Sequence, residues 1–182
     1  MKIVSFFLVV FGVIFSLCSC EKLEELTVVK IPVSSSYSIE IEDIKVNASN
    51  EGLNTFDGAE FVGVSSIEGM RENERQYISH ITKIKAGSGS ITITSNDGSG
   101  SVVKDFVLKA DGFGSDFSIS QCAFGEPYTE GVADYLNGLM AKLISDGDRN
   151  IRVSGKTDAS AGKTLTVKIT LDEIVIYAKV ID

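Results

Sequence analysis

The sequence predicts an α+β fold built on mostly antiparallel β-sheet with two amphipathic helices. Three observations support this prediction. Residues 37–46 alternate between apolar and polar, residues 70–84 and 130–144 carry apolar stripes of helical spacing, and Gly, Asn, Asp and Ser clusters separate the short β-rich runs. The chain has 182 residues, which is long enough for a hydrophobic core without disulfides or metals.

The first third of the folded region is predicted to be β. A strand at 26–33 contains Pro32, which has no N–H to donate and therefore restricts the strand to an edge. The second strand covers 37–46 and is predicted to be half-buried and antiparallel, because its faces differ. One face carries Tyr37, Ile39 and Ile41, and the other carries Ser38, Glu40 and Glu42. A third strand at 55–64 is interrupted by glycines.

Two segments have the period of a helix. The first predicted helix spans 70–84, where Tyr77, Ile78, Ile81 and Ile84 form the apolar stripe. The second spans 130–144, with Thr129 as its predicted N-cap. Asp146-Gly147-Asp148 is predicted to end this helix. Its broad apolar face consists of Val132, Tyr135, Leu136, Leu139, Met140 and Leu143.

The remaining segments are predicted strands. Residues 90–95 and 101–110 are predicted to form a hairpin around Asn96-Asp97-Gly98, and further strands are predicted at 116–124 and 150–154. In the last β segment, 163–180, apolar residues occupy odd positions as far as Leu171 and even positions from Ile174. This change of face predicts a bulge or a tight turn at Asp172-Glu173.

The order of elements suggests an internal repeat. Tyr77-Ile78 and Tyr135-Leu136 stand 58 residues apart, and 91–94 and 151–154 stand 60 apart. Duplication would give two β-α-β-β repeats in one domain. Coincidence in a common α+β pattern is the alternative explanation.

The N-terminus has the features of an export signal. Lys2 precedes an apolar run of 15 residues, from 3 to 17, which is shorter than the roughly 20 residues of a membrane-spanning helix. The run ends in Leu17-Cys18-Ser19-Cys20. This sequence resembles the lipobox of bacterial lipoprotein signal peptides. The resemblance implies cleavage between Ser19 and Cys20 and acylation of Cys20, for example with palmitate. Residues 1–19 are then the signal peptide, 20–25 the lipidated tether and 26–182 a single domain.

The predicted location follows from the same resemblance. The acidic stretch 21–25 resembles the surface-export signal of Bacteroidota lipoproteins, although an ordinary solvated tether would also be acidic. The general layout of the chain is similar to that of small cell-envelope lipoproteins in that group. The resemblance implies an outer-membrane lipoprotein that faces the periplasm or the cell surface. It implies no particular activity.

Charge and cysteine content exclude several classes. Removal of residues 1–19 takes away only Lys2, so the net charge changes from −8 to −9 over the remaining 163 residues. An acidic chain is a poor candidate for binding nucleic acid or anionic lipid. Cys122 is the only cysteine left beside Cys20, which precludes an internal disulfide. Its strand-like neighbours predict that it is a buried, apolar residue.

No motif in the chain indicates catalysis, a cofactor or a metal. His80 is the only histidine, and no Gly-x-Ser-x-Gly sequence occurs. Gly162-Lys163-Thr164 lacks the earlier glycine of a phosphate-binding loop. Residues 146–150 begin like a calcium loop but fail at its sixth and twelfth positions. A weak calcium site at Asp146 and Asp148 is the alternative there.

Three functions remain open. The first is a non-enzymatic binding or structural module, attached to the membrane through lipidated Cys20. The second is a carrier of lipid or another apolar ligand, with Tyr135, Leu139, Met140 and Leu143 lining a cavity between helices and sheet. The third is a hydrolase. The predicted partners are the membrane and either a protein or an apolar small molecule, with no nucleic acid; the oligomeric state is left open. A large apolar cavity would favour the carrier, an exposed aromatic patch a protein partner, and a cleft of converging acids an enzyme.

Overall fold

The computed structural model describes residues 28–33, 36–63 and 81–179. These residues form ten strands and one helix, all antiparallel where strands pair. In chain order the elements are β1 (Val28–Pro32), β2 (Tyr37–Asn47), β3 (Asn54–Val62), β4 (Ile81–Lys85), β5 (Ser88–Ser95), β6 (Val102–Ala110), β7 (Phe117–Ala123), α1 (Val132–Asp146), β8 (Arg149–Thr157), β9 (Thr164–Asp172) and β10 (Val175–Lys179).

The strands form two sheets that share three bent chain segments. The larger sheet has seven strands in the order β5-β9-β2-β3-β8-β6-β7, and the smaller has three in the order β1-β10-β4. β1 leads into β2, β4 into β5 and β9 into β10, so each segment contributes one strand to each sheet. The junctions between these strands are neighbours, as two backbone hydrogen bonds show. Val33 N–H donates to Ile174 O at 2.8 Å, and Gly87 N–H donates to Asp172 O at 3.1 Å.

Helix α1 packs against β4 and β5 and stabilises the bend between them. The side-chain amide of Asn137 accepts from Ala86 N–H at 2.7 Å and donates to Ala86 O at 3.1 Å. These bonds satisfy backbone groups that the bend removes from the strand ladder. The helix approaches closely at Gly89, where an added Cβ would lie 3.3 Å from Val132.

The chain that leaves β7 returns along β5 and covers its edge. Gly125 N–H donates to Ile93 O at 2.8 Å, and Ile91 and Tyr128 exchange two backbone hydrogen bonds of 2.9 Å. β5 and β7 are the two edge strands of the seven-stranded sheet, and this segment connects one to the other. An exposed strand edge invites pairing with other chains, and this segment removes one.

One hydrophobic core serves both sheets and the helix. Its largest fully buried side chains include Phe56, Phe106, Ile41, Leu136 and Ile151. Strand β9 presents apolar residues to this core at every second position, and β2 does so on either side of an irregularity between Ile41 and Ile44. The alternation predicted for 37–46 is therefore confirmed, with bounds of Tyr37–Asn47.

Three acidic residues have backbone φ angles in the left-handed region, two of them within strands and one between β9 and β10. Asp43 has φ of 52°, Asp105 of 51° and Glu173 of 54°. The β2–β9 register shifts by one residue near Asp43, and the β6–β8 register shifts near Asp105. Glu173 separates the odd buried positions of β9 from the even ones of β10. The predicted change of face at 172–173 is confirmed, and its cause is this left-handed residue.

The predicted second helix is confirmed as α1, and its buried residues are those of the predicted apolar face except Tyr135, which is partly buried. The N-cap prediction is wrong. Thr129 does not cap the helix; Gly131 occupies that position with φ of 70° and no side-chain cap. Pro32 lies in β1, which is an edge strand of the smaller sheet, as predicted.

The predicted α+β class with two amphipathic helices is wrong. The described residues are mostly β and contain a single helix. Residues 81–84 of the predicted first helix belong to β4, while residues 70–80 lie outside the described part. β4 has a bulge where Tyr177 faces Lys83 and Ala178 faces Ile81. The bulge puts Ile81 and Ile84, three residues apart, on the same buried face, which imitates helical spacing.

The predicted hairpin and repeat are also wrong. β5 and β6 flank a turn at 96–98 but do not pair; β5 pairs with β9, and β6 with β7 and β8. The two copies of the proposed repeat occupy different places, since β5 lies beside β9 whereas β8 lies between β3 and β6. Tyr77-Ile78, which the proposed repeat matches to Tyr135-Leu136, lie outside the described residues.

Candidate functional site

A groove opens in the larger sheet where β2 and β3 diverge. These strands pair only at Val46–Phe56 and Asn47–Thr55, beside the loop that joins them. Beyond that point β2 is held by β9 and β3 by β8. The groove between them has a volume of about 430 Å³ and is lined by 37–40, Glu42 and 60–62. Within the described residues, neither strand has another partner along this gap.

The bulge in β2 accompanies this separation. Asp43 is the extra residue between Ile41 and Ile44 in the pairing with β9. A bulge bends its strand and increases the local twist. Gly58 of β3 lies beneath the Ile44 side chain, since an added Cβ would stand 2.7 Å from Ile44 Cγ1. A larger residue at Gly58 would therefore displace the buried side chain of Ile44.

Phe61 is the most exposed large apolar side chain in the described part of the chain. It lies in β3 at the groove and is 60% exposed. Ala59 and Glu60 are exposed as well, so both faces of β3 reach solvent here, and only β8 pairs with this end of the strand. An aromatic ring at an unpaired strand edge offers area to a partner that the monomer leaves in water.

The groove is acidic. Glu40, Glu42 and Glu60 line it, and Glu40 is paired with Lys168 at 2.7 Å. Glu42 and Glu60 have no cation partner within the described part of the chain. The groove thus combines two uncompensated negative charges, an exposed ring and two strand edges. Such a site suits an extended, basic polypeptide segment better than an anionic ligand.

The sequence predicted the exposure of two residues that line the groove, but not the groove itself. It placed Glu40 and Glu42 on a solvent face, and both are exposed. It did not single out Phe61 or Glu60. The available signal was the run Ala59-Glu60-Phe61, which breaks the alternation expected of a half-buried strand.

The predicted lipidation and cleavage positions, Cys20 and Ser19, lie outside the described residues, as does His80. The predicted lining of a ligand cavity is packed in the core. Leu139 is 0% exposed, Met140 1% and Leu143 1%, and α1 contacts β4 and β5 through this face. Tyr135 is partly buried and donates its hydroxyl to Leu108 O at 3.3 Å. Burial, and then the charge of Asp116, raises the pKa of Tyr135 to about 12.

Two other predicted candidates have structural roles. Cys122 lies in β7, is partly rather than fully buried, and packs against the core; burial raises the pKa of its thiol. Asp146 contacts Lys142 at 2.7 Å and Arg149 at 3.0 Å. Hydrogen bonds from Lys142 and Ser145 lower the pKa of its carboxyl. Asp146 thus stabilises the end of α1, and its predicted partner Asp148 is exposed.

Asp158 stabilises the loop that precedes β6. Asp158 accepts hydrogen bonds from Ser101 N–H at 2.8 Å, Ser101 Oγ at 2.7 Å and Val102 N–H at 2.9 Å. Burial favours the neutral acid, but these bonds outweigh it and lower the pKa of Asp158. Among the described residues, no group of three or more His, Cys, Asp or Glu side chains is arranged to hold a metal ion.

Comparisons with known proteins identify no family. No family model and no curated protein matches the chain. Among solved structures, the decameric BFDV capsid protein has 10% identity and a TM-score of 0.40, with 84% of this chain and 99% of that chain covered. The mud crab tombus-like virus structure has 9% identity and a TM-score of 0.35, covering 85% and 82%. A family two carbohydrate esterase from Cellvibrio japonicus has 10% identity and a TM-score of 0.25, covering 85% and 36%. TM-scores this low carry no functional argument.

The described residues contain no helix that is both long and apolar enough to cross a bilayer.

Proposed function

We propose that this chain is a non-enzymatic lipoprotein of the cell envelope, anchored through Cys20, whose folded domain binds an extended segment of a partner protein. The observation that carries the binding part is Phe61, which is 60% exposed beside backbone groups of β2 and β3 that do not pair with each other within the described residues. An incoming strand could use those backbone groups for hydrogen bonds and place an apolar side chain on the ring. The anchor rests on the resemblance of 17–20 to a lipobox.

The preferred segment is basic. Glu42 and Glu60 face the groove without a cation partner in the described part of the chain, while Glu40 is already paired with Lys168. A lysine or arginine in the bound segment would compensate these charges and would also speed association. Alternating apolar and basic residues would therefore match the two faces of an added strand.

The contribution of Phe61 can be bounded from its exposure. A side chain of roughly 200 Å² that is 60% exposed leaves about 120 Å² to be covered, and at about 25 cal/mol per Å² this corresponds to about 3 kcal/mol. Ordering of the partner reduces this gain. We therefore expect Phe61→Ser to weaken binding by about tenfold to a hundredfold while leaving the fold intact.

The test is selection of a displayed library of random peptides on the full chain. We expect enriched peptides to carry Lys or Arg beside apolar residues, and to lose affinity for Phe61→Ser and for the double variant Glu42→Gln/Glu60→Gln. Controls are Val29→Ser, at an exposed apolar residue in β1, and Glu51→Gln/Glu126→Gln, at exposed acids away from the groove. Peptides that bind the groove variants as well as the parent protein would contradict the assignment.

The anchor has its own test. Cells that express the chain are fed an alkyne analogue of palmitate, and the purified protein is examined for the label. We expect Cys20→Ala to abolish labelling and Cys18→Ala to retain it, because Leu17 is a poor residue to precede an acylated cysteine. Labelling that persists in Cys20→Ala would refute the anchor without affecting the groove.

A further inference from the structure

The smaller sheet has a charge opposite to that of the whole chain. Its strands β1, β4 and β10 read VVKIP, ITKIK and VIYAK, with four lysines and no acidic residue. The chain as a whole has a net charge of −8. The overall acidity therefore conceals a local basic surface.

Two of these lysines lie together on the outer side of this sheet. Lys30 of β1 and Lys83 of β4 both face Tyr177 of β10 in the strand register. Their ammonium nitrogens lie 5.6 Å and 6.0 Å from the centroid of the Tyr177 ring. The other side of the sheet supplies Ile84 and Ile176 to the core. We call the outer side, defined by Lys30, Lys83 and Tyr177, the basic face.

These lysines lack carboxylate partners within the described residues. Neither Lys30 nor Lys83 forms an ion pair there, nor does the neighbouring Lys85. Most cations of the larger sheet and the helix do form one, for example Lys168 with Glu40 and Lys156 with Asp105. The positive charge of the basic face is therefore available to an anion from outside.

The position of the basic face relative to Cys20 indicates which anion. β1 is the first described strand and begins at Val28, eight residues after Cys20. Eight residues reach at most about 28 Å when fully extended. The smaller sheet is thus the part of the fold that follows the tether directly. A lipid on Cys20 would keep this sheet within that distance of the bilayer.

We infer that the basic face docks on the anionic lipid headgroups of the membrane that holds the anchor, and so sets the orientation of the domain. This inference rests on the proposed acylation of Cys20. Lysines near an anionic surface attract it over about a Debye length, and a tyrosine ring is suited to the headgroup region. Docking of this sheet would leave the loop at 96–100 away from the membrane, because that loop follows the end of β5 opposite to β4.

The chain contains no tryptophan, which permits single-tryptophan reporters. Tyr177→Trp places one on the basic face, and Phe124→Trp places one near Gly100, in the loops at the opposite end. The full acylated chain is reconstituted into vesicles of phosphatidylcholine, alone or mixed with phosphatidylglycerol, that also contain a lipid with a nitroxide on its headgroup. Quenching of the fluorescence then reports which end lies at the headgroups.

We expect phosphatidylglycerol to increase quenching of the Tyr177→Trp reporter and not of the Phe124→Trp reporter. Introducing Lys30→Gln/Lys83→Gln into the Tyr177→Trp protein should reduce the ratio of docked to undocked protein by roughly fivefold for each lysine. High salt should also reduce this ratio, because it screens the attraction between the lysines and the headgroups. The control Lys45→Gln/Lys104→Gln changes the charge equally, at exposed lysines of β2 and β6 that have no described ion pair, and should have little effect.

Quenching that does not depend on lipid charge, or that falls equally in both lysine pairs, would overturn the docking. The intact mass of the reconstituted protein separates this failure from failure of the anchor. A protein without acyl chains refutes the proposed anchor. An acylated protein with unchanged quenching refutes only the docking.

Discussion

Replacing Glu173 with glycine should stabilise this protein, although the substitution removes a side chain at the junction of two strands. Glu173 has φ of 54°, in the left-handed region that disfavours every residue with a Cβ. Its side chain is exposed and belongs to no ion pair within the described part of the chain. Little favourable interaction is therefore lost with the glutamate.

The expected gain follows from two opposing terms. The left-handed conformation costs a residue other than glycine about 1–2 kcal/mol. Glycine loses more backbone entropy on folding, which costs about 0.5–1 kcal/mol. The difference is a net stabilisation of about 0.5–1 kcal/mol. For a chain of 182 residues this corresponds to a rise in Tm of about 2 °C.

Urea denaturation followed by circular dichroism would measure the difference in the free energy of unfolding. The control is Thr92→Gly, at a partly buried position in the middle of β5, where replacement by glycine should destabilise by about 1 kcal/mol or more. We thus expect Glu173→Gly to raise the free energy of unfolding and Thr92→Gly to lower it. Destabilisation by Glu173→Gly as large as that of Thr92→Gly would refute the assignment of strain to this bend.

Two further predictions concern the core and the loops. Leu139→Ala should lower the free energy of unfolding by about 3 kcal/mol in the same assay, because the side chain is 0% exposed; a loss below about 1 kcal/mol would instead favour an open cavity at α1. Asp158→Ala should cost about 1 kcal/mol at neutral pH, since it removes the acceptor for Ser101 and Val102, and the exposed site limits the electrostatic share. The folded-state pKa of Asp158 is lowered, so its contribution is present above the unfolded pKa of about 3.9 and is lost as pH falls through the folded value. The stability of Asp158→Ala should therefore fall less steeply below about pH 4 than that of the parent, and an identical slope would contradict this reasoning.

The elements that sequence reasoning predicted correctly are those whose burial follows one period. Strand β2 alternates because one face meets the core, and α1 buries residues at helical spacing for the same reason. The change of face at Glu173 was also readable, since a shift between odd and even positions has few other causes in a β segment.

The errors arose where a local irregularity changed the period or where the partner was distant. The bulge in β4 put Ile81 and Ile84 on one face at a spacing of three, which a helix also produces. The turn at 96–98 reverses the chain but does not determine which strand lies beside β5. Pairing depends on residues such as Val167, about seventy positions away, and a single sequence does not reveal them.

The groove could not be predicted for a related reason. Its existence depends on how far β2 and β3 diverge, which follows from the bulge at Asp43 and from pairing with β8 and β9. Phe61 alone looks like an ordinary strand residue. The basic face was in principle readable, because its three strands lack acids, but they are contiguous only in the folded sheet.

The continuity of β1 with β2 has a mechanical consequence. If a bilayer holds Cys20 and a partner pulls on the groove, the load enters the described part of the chain at β1 and reaches β2, the next strand. The hydrogen bonds of β1 with β10 and of β2 with β9 lie across the axes of these strands, so a pull along either strand loads its ladder in shear instead of breaking the bonds one after another. The same two ladders that complete the sheets would make the domain resistant to extraction from its anchored end.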